Sequence, residues 1–260
     1  MSNLRVAMRI REPTVHEIVA RFGGHTAAAL GIDLDDGAQL GRWLVAVCLT
    51  GARVDEARWQ RAFVQLDRAG LTDPGAIAKP TASPDLDSPD LGKGGEVSAE
   101  LEAALLKAKL PDAERVAWKL IRVSAALVEH YAGSVDRLVS SADNLEELGG
   151  RLAALAPGFG AASVMRFLRP LRDRWVEASE LPLHPSAHAA AVHLGLLDDD
   201  HDPDGAPGAL RAAIRAPSPP AFRDLEAALE RLGAWCRRNR TTTCPLEDSC
   251  PARTSQLNPD

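Results

Sequence analysis

The sequence predicts an all-α fold, and three observations lead to that prediction. Hydrophobic residues make up 45% of the 260 residues but aromatic residues only 4%, so small and aliphatic side chains must fill the core. Alanine and leucine, which favour helices, are abundant among them. Apolar residues also recur at helical intervals through most of the chain, and no segment alternates with a period of two for long enough to predict a strand.

The predicted helices can be assigned in order along the chain. The apolar run at 39–50, QLGRWLVAVCLT, predicts a buried helix, and Asp73 followed by Pro74 predicts a helix start within 71–78. A helix is predicted at 54–69, with core positions at Ala57, Phe63, Val64 and Leu66. Further helices are predicted at 98–107, 112–130, 134–154 and 223–238, with one short helical piece inside 198–220.

Composition and charge limit the possible functions. The segment 79–97 is rich in Pro, Asp, Ser and Gly, which predicts a disordered surface insertion. The net charge is −6, so any binding to nucleic acid must depend on a local basic surface. The chain has no apolar run of 18 residues and its first residues do not resemble a signal peptide. We therefore expect a cytoplasmic protein with no membrane partner.

A glycine-containing turn at Pro157, Gly158, Phe159 and Gly160 is the first motif with chemical content. Glycines permit the left-handed backbone of a tight turn between two helices, and Phe159 can fill the gap between them. Backbone N–H groups at the start of the second helix suit a phosphate oxygen. Cationic support is available from the arginines that follow, which are Arg166, Arg169, Arg172 and Arg174. The alternative is a helical hairpin with a solvated basic face.

Three of the four cysteines form the second motif. Cys236, Cys244 and Cys250 lie within fifteen residues, with seven and five residues between them. Clustered thiols in a reducing compartment indicate metal binding, and these spacings are longer than those of most zinc sites. They are compatible with an iron–sulfur core, although three structural cysteines remain the alternative. Cys48 lies in the apolar run WLVAVCL and is predicted to be a buried core residue.

The two motifs together resemble the helix-hairpin-helix DNA glycosylases of the endonuclease III type, the HhH-GPD superfamily. PGFG is followed about ninety residues later by CPLEDSCP, and LGRWLVAVCLTGARVDEARWQRAF, ERVAWKLIRVSAALVEHY, LPLHPSAHAAAVHLGLL and LGAWC are similar to the family's other helical segments. The resemblance implies a two-lobed fold with a C-terminal iron–sulfur cluster loop. One lobe would be a helical barrel at 36–161, and the second would combine 1–35 with 162–260, with the cluster loop at 236–250.

The departures from the family concern its catalytic and lesion-reading positions. The lysine that forms a Schiff base in the lyase branch corresponds to Ala162, which has no amine. The aspartate that precedes the helix after the hairpin corresponds to His184, and no carboxylate lies nearer than Glu180. His184 is the catalytic candidate by position, with capping of a helix as the alternative. The polar residue that enters the DNA near the lesion corresponds to Ala52.

The family's cluster has four cysteines, and this chain supplies three of them. Cys236, Cys244 and Cys250 match the first, third and fourth positions, which implies a [3Fe-4S] core or a [4Fe-4S] core with a non-cysteine fourth ligand. His201 is only a formal candidate for that ligand. The resemblance also places Arg237, Arg238 and Arg240 near DNA phosphates, with a solvated basic loop as the alternative.

The function implied by the resemblance is DNA binding within the base-excision-repair glycosylase family. We expect a monomer that grips double-stranded DNA, including damaged DNA, through Pro157, Gly158, Phe159, Gly160 and basic residues such as Arg166, with weak or lost excision chemistry. Whether the chain is an enzyme stays open at this point. One alternative is an active glycosylase that uses His184, Glu180 or Asp173. Another is a cluster-stabilised helical interaction protein.

Overall fold

A computed structural model describes residues 13–51, 54–78, 98–214, 218–238 and 246. Within these ranges the chain is helical and has no strand, which confirms the all-α prediction. The helices in this part of the chain are α1 (Pro13–Phe22), α2 (Thr26–Ala29), α3 (Leu40–Cys48), α4 (Glu56–Arg68), α5 (Pro74–Ala78), α6 (Ala99–Lys107), α7 (Ala113–Tyr131), α8 (Val135–Ser140), α9 (Leu145–Ala154), α10 (Ala161–Leu168), α11 (Val176–Ser179), α12 (Pro185–His193), α13 (Ala206–Ala213) and α14 (Phe222–Arg238). Two 3₁₀ turns occupy Gly37–Gln39 and Arg169–Leu171. The predicted insertion at 79–97 lies outside the described residues.

Two sequence-based predictions about the helices were wrong in detail. The predicted helix at 134–154 is two helices, because Asn144 starts a new one by accepting the N–H of Glu147 at 2.9 Å. In α4, Ala57 and Val64 are exposed, whereas Phe63 and Leu66 are buried as predicted. The inward face of α4 is set by Trp59 and the residues three, four and seven positions after it, so Val64 falls outside that stripe.

The chain divides into two compact units. Unit 1 comprises residues 1–26 and 169–260, and unit 2 comprises residues 27–168. The boundaries differ from the sequence-based expectations of 36 and 161. Helix α10 belongs to unit 2 because it packs on α3, where the buried indole of Trp43 donates a hydrogen bond to the carbonyl oxygen of Phe167 at 3.0 Å. At the other boundary, the carbonyl oxygen of Ala27, a fully buried residue, accepts the N–H of Ile32 at 2.9 Å.

Unit 2 is organised around α3. Every residue of α3 except Arg42 is buried, including Trp43 and Cys48. Helices α5, α7, α8 and α10 pack against it, so α3 is apolar on almost all sides, as expected for a central helix. Helix α7 is the longest helix of the unit, and its buried face runs from Ala113 to Leu127.

Unit 1 has its own core, built mainly by α1, α12 and α14. Helices α12 and α14 cross closely because Gly233 of α14 faces the backbone of Ser186, and any Cβ at position 233 would overlap the carbonyl oxygen of Ser186. Leu225, Leu229 and Leu232 of α14 are fully buried in this core. Leu246, the one described residue after α14, is buried in the same core.

The helices of the described ranges were also compared with the requirements of a membrane span. None of them is both long enough and apolar enough to cross a bilayer.

Candidate nucleic-acid interface

The predicted hairpin is present in unit 2, between α9 and α10. Gly158 adopts φ +85°, a left-handed conformation that favours glycine, and the N–H of Phe159 returns to the carbonyl oxygen of Ala156 at 3.0 Å. Phe159 is 1% exposed, so it fills the space between the helices as predicted. The carbonyl oxygen of Gly160 accepts the N–H groups of Ser163 and Val164 at 2.8 and 3.1 Å, which begins α10. The first amides of α10 consequently follow directly after the turn.

A cavity of about 540 Å³ adjoins this turn, and its described lining residues all belong to unit 2. The hairpin contributes Pro157, Gly158 and Ser163 to its wall. Thr50 and Gly51 contribute from the end of the α3 segment, and apolar surface comes from Leu49, Val54, Pro111 and Val116. The remaining lining residues are charged, and they are Asp112, Arg115, Lys119 and Arg122.

Three cations of α7 give this cavity a positive charge. Arg115, Lys119 and Arg122 are spaced four and three residues apart, which places them on one face of the helix. Arg115 is 79% exposed and pairs with Asp112 at 2.8 Å, whereas Arg122 is buried, with 8% of its surface exposed. Three positive charges and one negative charge leave a local excess of positive charge next to the hairpin, in a protein whose net charge is −6.

Lys119, which lines this cavity, and the buried thiol of Cys48 influence each other's ionisation. Burial lowers the pKa of Lys119 below its ordinary value; the interaction with Cys48 opposes that shift, and the positive charge of Arg115 adds to it. Burial raises the pKa of the Cys48 thiol to about 12, against a smaller opposing effect of Lys119. Cys48 is therefore a neutral thiol near pH 7. It is fully buried, as the sequence predicted.

The sequence analysis missed the three α7 cations, although a signal for them was present. The segment ERVAWKLIRV contains basic residues at intervals of four and three, which is the pattern of a basic stripe on a helix. The stripe was overlooked because Val116, Leu120 and Val123 on the same helix give a strong core pattern. Arg166 was predicted as a DNA contact and is exposed on α10, with its guanidinium carbon 6.0 Å from the centroid of the Trp59 ring.

Two of the other arginines that follow the hairpin have structural roles in unit 1. Arg172 is 3% exposed, and its guanidinium bonds to Glu226 at 2.6 Å and to the carbonyl oxygen of Pro182 at 2.8 Å. Arg169 is mostly buried and lies 3.8 Å from a carboxylate oxygen of Glu226. The prediction that Arg172 supports a phosphate was wrong, because its guanidinium is buried in the core and paired with Glu226.

At the positions that the resemblance predicts to be catalytic, the side chains have a structural role or no polar group. Ala162 is exposed in the first turn of α10 and presents a methyl group. His184 is the N-cap of α12, where its Nδ1 accepts the N–H of Ser186 at 3.2 Å and its backbone N–H donates to Glu226 at 3.1 Å. Its Nε2 lies 3.6 Å from Glu230. This is the capping role that the sequence analysis gave as the alternative, and it orients the imidazole along the start of α12.

The alternative carboxylates lie on the surface of unit 1. Asp173 accepts the backbone N–H of Arg223 at 3.1 Å, and Glu180 is an exposed residue at the end of α11. The Ala52 position lies outside the described residues.

Of the proposed cluster residues, Cys236, Arg237 and Arg238 are described, whereas Cys244, Cys250 and Arg240 lie outside the described residues. Cys236 is half-buried in the last turns of α14 and packs against the core that also buries Leu246. Arg237 donates to the hydroxyl of Ser186 at 2.5 Å. Arg238 is exposed, and its Nε donates to the carbonyl oxygen of Ala234 at 3.2 Å.

Metal ligands do not converge in the part of the chain that the structure describes. No group of three or more His, Cys, Asp or Glu residues there could hold a metal ion. For an iron–sulfur core, the residue that can be assessed is Cys236, whose half-buried thiol at a helix end beside an apolar core suits a cluster ligand.

No protein-family model matches the chain, and no curated protein is similar to it.

Proposed function

We propose that this protein binds double-stranded DNA through the hairpin of unit 2, as a divergent relative of the base-excision-repair glycosylases. The observation that carries the proposal is the position of the turn at Pro157 and Gly158, which forms part of the wall of a cavity with three cationic side chains. The hairpin is therefore next to a positively charged surface, as a phosphate-binding motif requires. A turn with the same shape but no adjacent cations would be a simple connection between helices.

The contacts proposed for DNA follow from this arrangement. The first amides of α10 offer hydrogen bonds to a phosphate oxygen, and the positive end of the helix dipole favours the same charge. Gly158 allows the backbone to turn sharply before these amides. Exposed Arg166 on α10 adds a cation on the same hairpin. Contacts of this type fix the register of a protein on the DNA backbone without reading sequence.

We further propose that the excision chemistry of the family is weak or lost in this chain. Covalent catalysis at the hairpin requires an amine, and Ala162 has none. The position of the family's aspartate is occupied by His184, whose ring accepts a capping hydrogen bond at the start of α12. The alternative in which Asp173 or Glu180 takes over has no support from burial, since both side chains are exposed.

An iron–sulfur cluster in unit 1 belongs to the same proposal. Cys236, Cys244 and Cys250 would be its thiolate ligands, and the cluster would brace the end of α14 and its basic residues Arg237 and Arg238. Burial of Leu246 supports this, since it attaches the middle of the segment CPLEDSC to the core against which Cys236 packs. Anaerobic purification followed by iron and sulfide analysis is expected to give a brown protein, and Cys236→Ser to lower its iron content. A colourless, iron-free protein that is fully folded would contradict this part.

DNA binding is tested by fluorescence anisotropy with an undamaged duplex over a series of salt concentrations. Affinity should fall steeply as salt rises. Cationic side chains that bind DNA displace counterions from its phosphates, and a higher salt concentration opposes the release of those counterions. Gly158→Ala should weaken binding, since a side chain at φ +85° strains the turn. Gly150→Ala in α9 is the matched control, because a Cβ at either position meets no atom within 4 Å and only Gly158 has positive φ. Absence of salt-dependent binding would contradict the proposal and favour the protein-interaction alternative.

Loss of excision is tested on a panel of damaged duplexes. Little or no base release is expected from the wild-type chain. His184→Asn is the informative variant, because asparagine keeps the N-cap of α12 while removing the imidazole. Robust release of a base that disappears in His184→Asn would contradict this part of the proposal and establish the active-glycosylase alternative.

A further inference from the structure

The cavity beside the hairpin has features of a ligand site that a backbone-binding motif does not need. Its volume of about 540 Å³ lies within the range of small-molecule sites. A hairpin that only touches DNA phosphates needs a surface, whereas this cavity extends inward to Lys119 and Arg122, the second of which is buried. We therefore considered which ligand matches its chemistry.

The charges lining the cavity match a dianion. Arg115, Lys119 and Arg122 supply three positive charges, and Asp112 supplies one negative charge next to Arg115. The described lining residues therefore carry more positive than negative charge, which favours a doubly negative phosphomonoester over a singly charged anion. A phosphodiester inside a continuous DNA strand carries only one negative charge. Two guanidinium groups and an ammonium group also provide more donors than a carboxylate can accept, and they suit three phosphate oxygens.

The remaining walls match the organic part of such a ligand. Leu49, Val54 and Val116 contribute apolar surface, and Pro111 and Pro157 add two rigid rings. Thr50 and Ser163 contribute hydroxyl groups that can donate or accept. A cationic region combined with apolar walls and a few hydroxyl groups fits a nucleotide better than it fits a bare inorganic anion.

We infer that this cavity binds the phosphomonoester of a nucleotide, with Arg115, Lys119 and Arg122 as the phosphate-binding residues. This inference deepens the proposed DNA function by adding a terminal phosphate to the backbone contacts of the hairpin. The nucleotide has two possible sources, a free mononucleotide and the phosphorylated end of a DNA strand. Both carry the same chemical group, and the experiment separates them.

Isothermal titration of the full chain with thymidine 5′-monophosphate, thymidine and inorganic phosphate tests the site itself. Thymidine 5′-monophosphate is expected to bind, and thymidine, which lacks the phosphate, is not. Lys119→Met should weaken binding by about tenfold or more, since a charge-assisted hydrogen bond is lost. Arg115→Gln, at a position that is 79% exposed, should weaken it without a risk to folding. Arg137→Gln on α8, also exposed and outside the cavity, is the matched control and should bind like the wild-type chain.

Anisotropy with two duplexes identifies the source of the phosphate. The duplexes differ only in a recessed 5′ end that is phosphorylated in one and hydroxylated in the other. Tighter binding of the phosphorylated duplex, reduced by Arg115→Gln, would support the strand end, and binding of the monophosphate alone would support a free nucleotide. Failure of both would overturn the inference, as would inorganic phosphate binding as tightly as the monophosphate. If the monophosphate also fails to bind, salt-dependent binding of both duplexes with no preference would overturn the inference and leave the DNA proposal standing.

Discussion

The guanidinium of Arg172 and the carboxylate of Glu226 form an ion pair of 2.6 Å in the interior of unit 1, where both side chains are almost completely buried. The pair also organises the backbone that precedes α12. Arg172 donates to the carbonyl oxygens of Leu181 and Pro182 at 2.5 and 2.8 Å, and Glu226 accepts the N–H of His184 at 3.1 Å. Its hydrogen bonds thereby fix the backbone at His184, immediately before α12.

Removing the charge of Glu226 is expected to destabilise the protein strongly. Glu226→Gln leaves the buried guanidinium of Arg172 without a compensating charge, and breaking a buried pair in this way costs about 3 to 5 kcal/mol. The measurement is the free energy of unfolding from urea denaturation. Glu230→Gln is the control on the same helix, because that side chain is 42% exposed and its loss should change stability by about 0.5 kcal/mol or less. Equal effects of the two substitutions would show that the pair has no special role.

A second prediction concerns the crossing of α12 and α14. Gly233→Ala should lower the free energy of unfolding by about 1 to 3 kcal/mol or more, because the new Cβ would overlap the carbonyl oxygen of Ser186 and the helices must separate. Gly208→Ala in α13 meets no atom within 4 Å, so it should be neutral or raise stability by up to about 1 kcal/mol. Thermal unfolding of the two variants compares them directly. An unchanged transition for Gly233→Ala would contradict the close approach.

Local signals predicted most of the helices correctly. The start of α5 at Pro74 and the hairpin with buried Phe159 follow from short-range chemistry that one sequence displays. The division of 134–154 could also have been predicted, since Asn144 followed by Glu147 is a helix start, and Glu147 accepts the N–H of Asp143 at 2.8 Å. Helical periodicity on both sides of this start concealed it.

The site was less predictable because its parts come from distant segments of the sequence, the charges from 112–122 and the hairpin from 157–160. Arg172 and Glu226 are 54 residues apart, so the burial of that arginine depends on tertiary packing and no local pattern reveals it. Lys119 and Pro157 meet at one cavity although they belong to different motifs. The sequence shows which residues are basic. The fold determines which of them line the cavity and which of them form ion pairs in the core.

Cys48 provides a third prediction, about reactivity. Because burial raises its pKa to about 12, the thiolate is roughly one part in 10⁴ at pH 8. Alkylation by iodoacetamide, followed by mass spectrometry of the Cys48 peptide, should be negligible in the native protein and rapid in urea. Cys236 in chelator-treated protein is the internal comparison, since it is half-buried and should react faster. Rapid labelling of native Cys48 would contradict its complete burial.

A fourth prediction concerns the pH dependence of ligand binding. The pKa of Lys119 is lowered in the free protein, and a bound phosphate dianion would raise it by stabilising the ammonium form. Affinity for thymidine 5′-monophosphate should therefore be constant at pH values above the second pKa of its phosphate, about 6, and below the lysine's pKa in the free protein. It should fall as the pH rises between that value and the higher pKa of the complex. Titration calorimetry at several pH values measures this, and Lys119→Met should remove the decrease. A decrease that persists in the variant would assign it to another group.

The last prediction is that Lys119 lowers the stability of the protein that contains it. A lowered pKa in the folded state means that folding disfavours the ammonium, and burial is the main cause. Lys119→Met should therefore raise the free energy of unfolding at neutral pH, and the gain should shrink as the pH rises from the native pKa towards that of the unfolded chain. Denaturation at pH 7 and at a second, alkaline pH provides the comparison, with Lys107→Met on exposed α6 surface as the control. If Lys119→Met raises the free energy of unfolding but weakens nucleotide binding, Lys119 lowers stability and contributes to binding, as expected of a binding residue. Destabilisation by Lys119→Met at both pH values would instead show that the lysine is a structural part of unit 2.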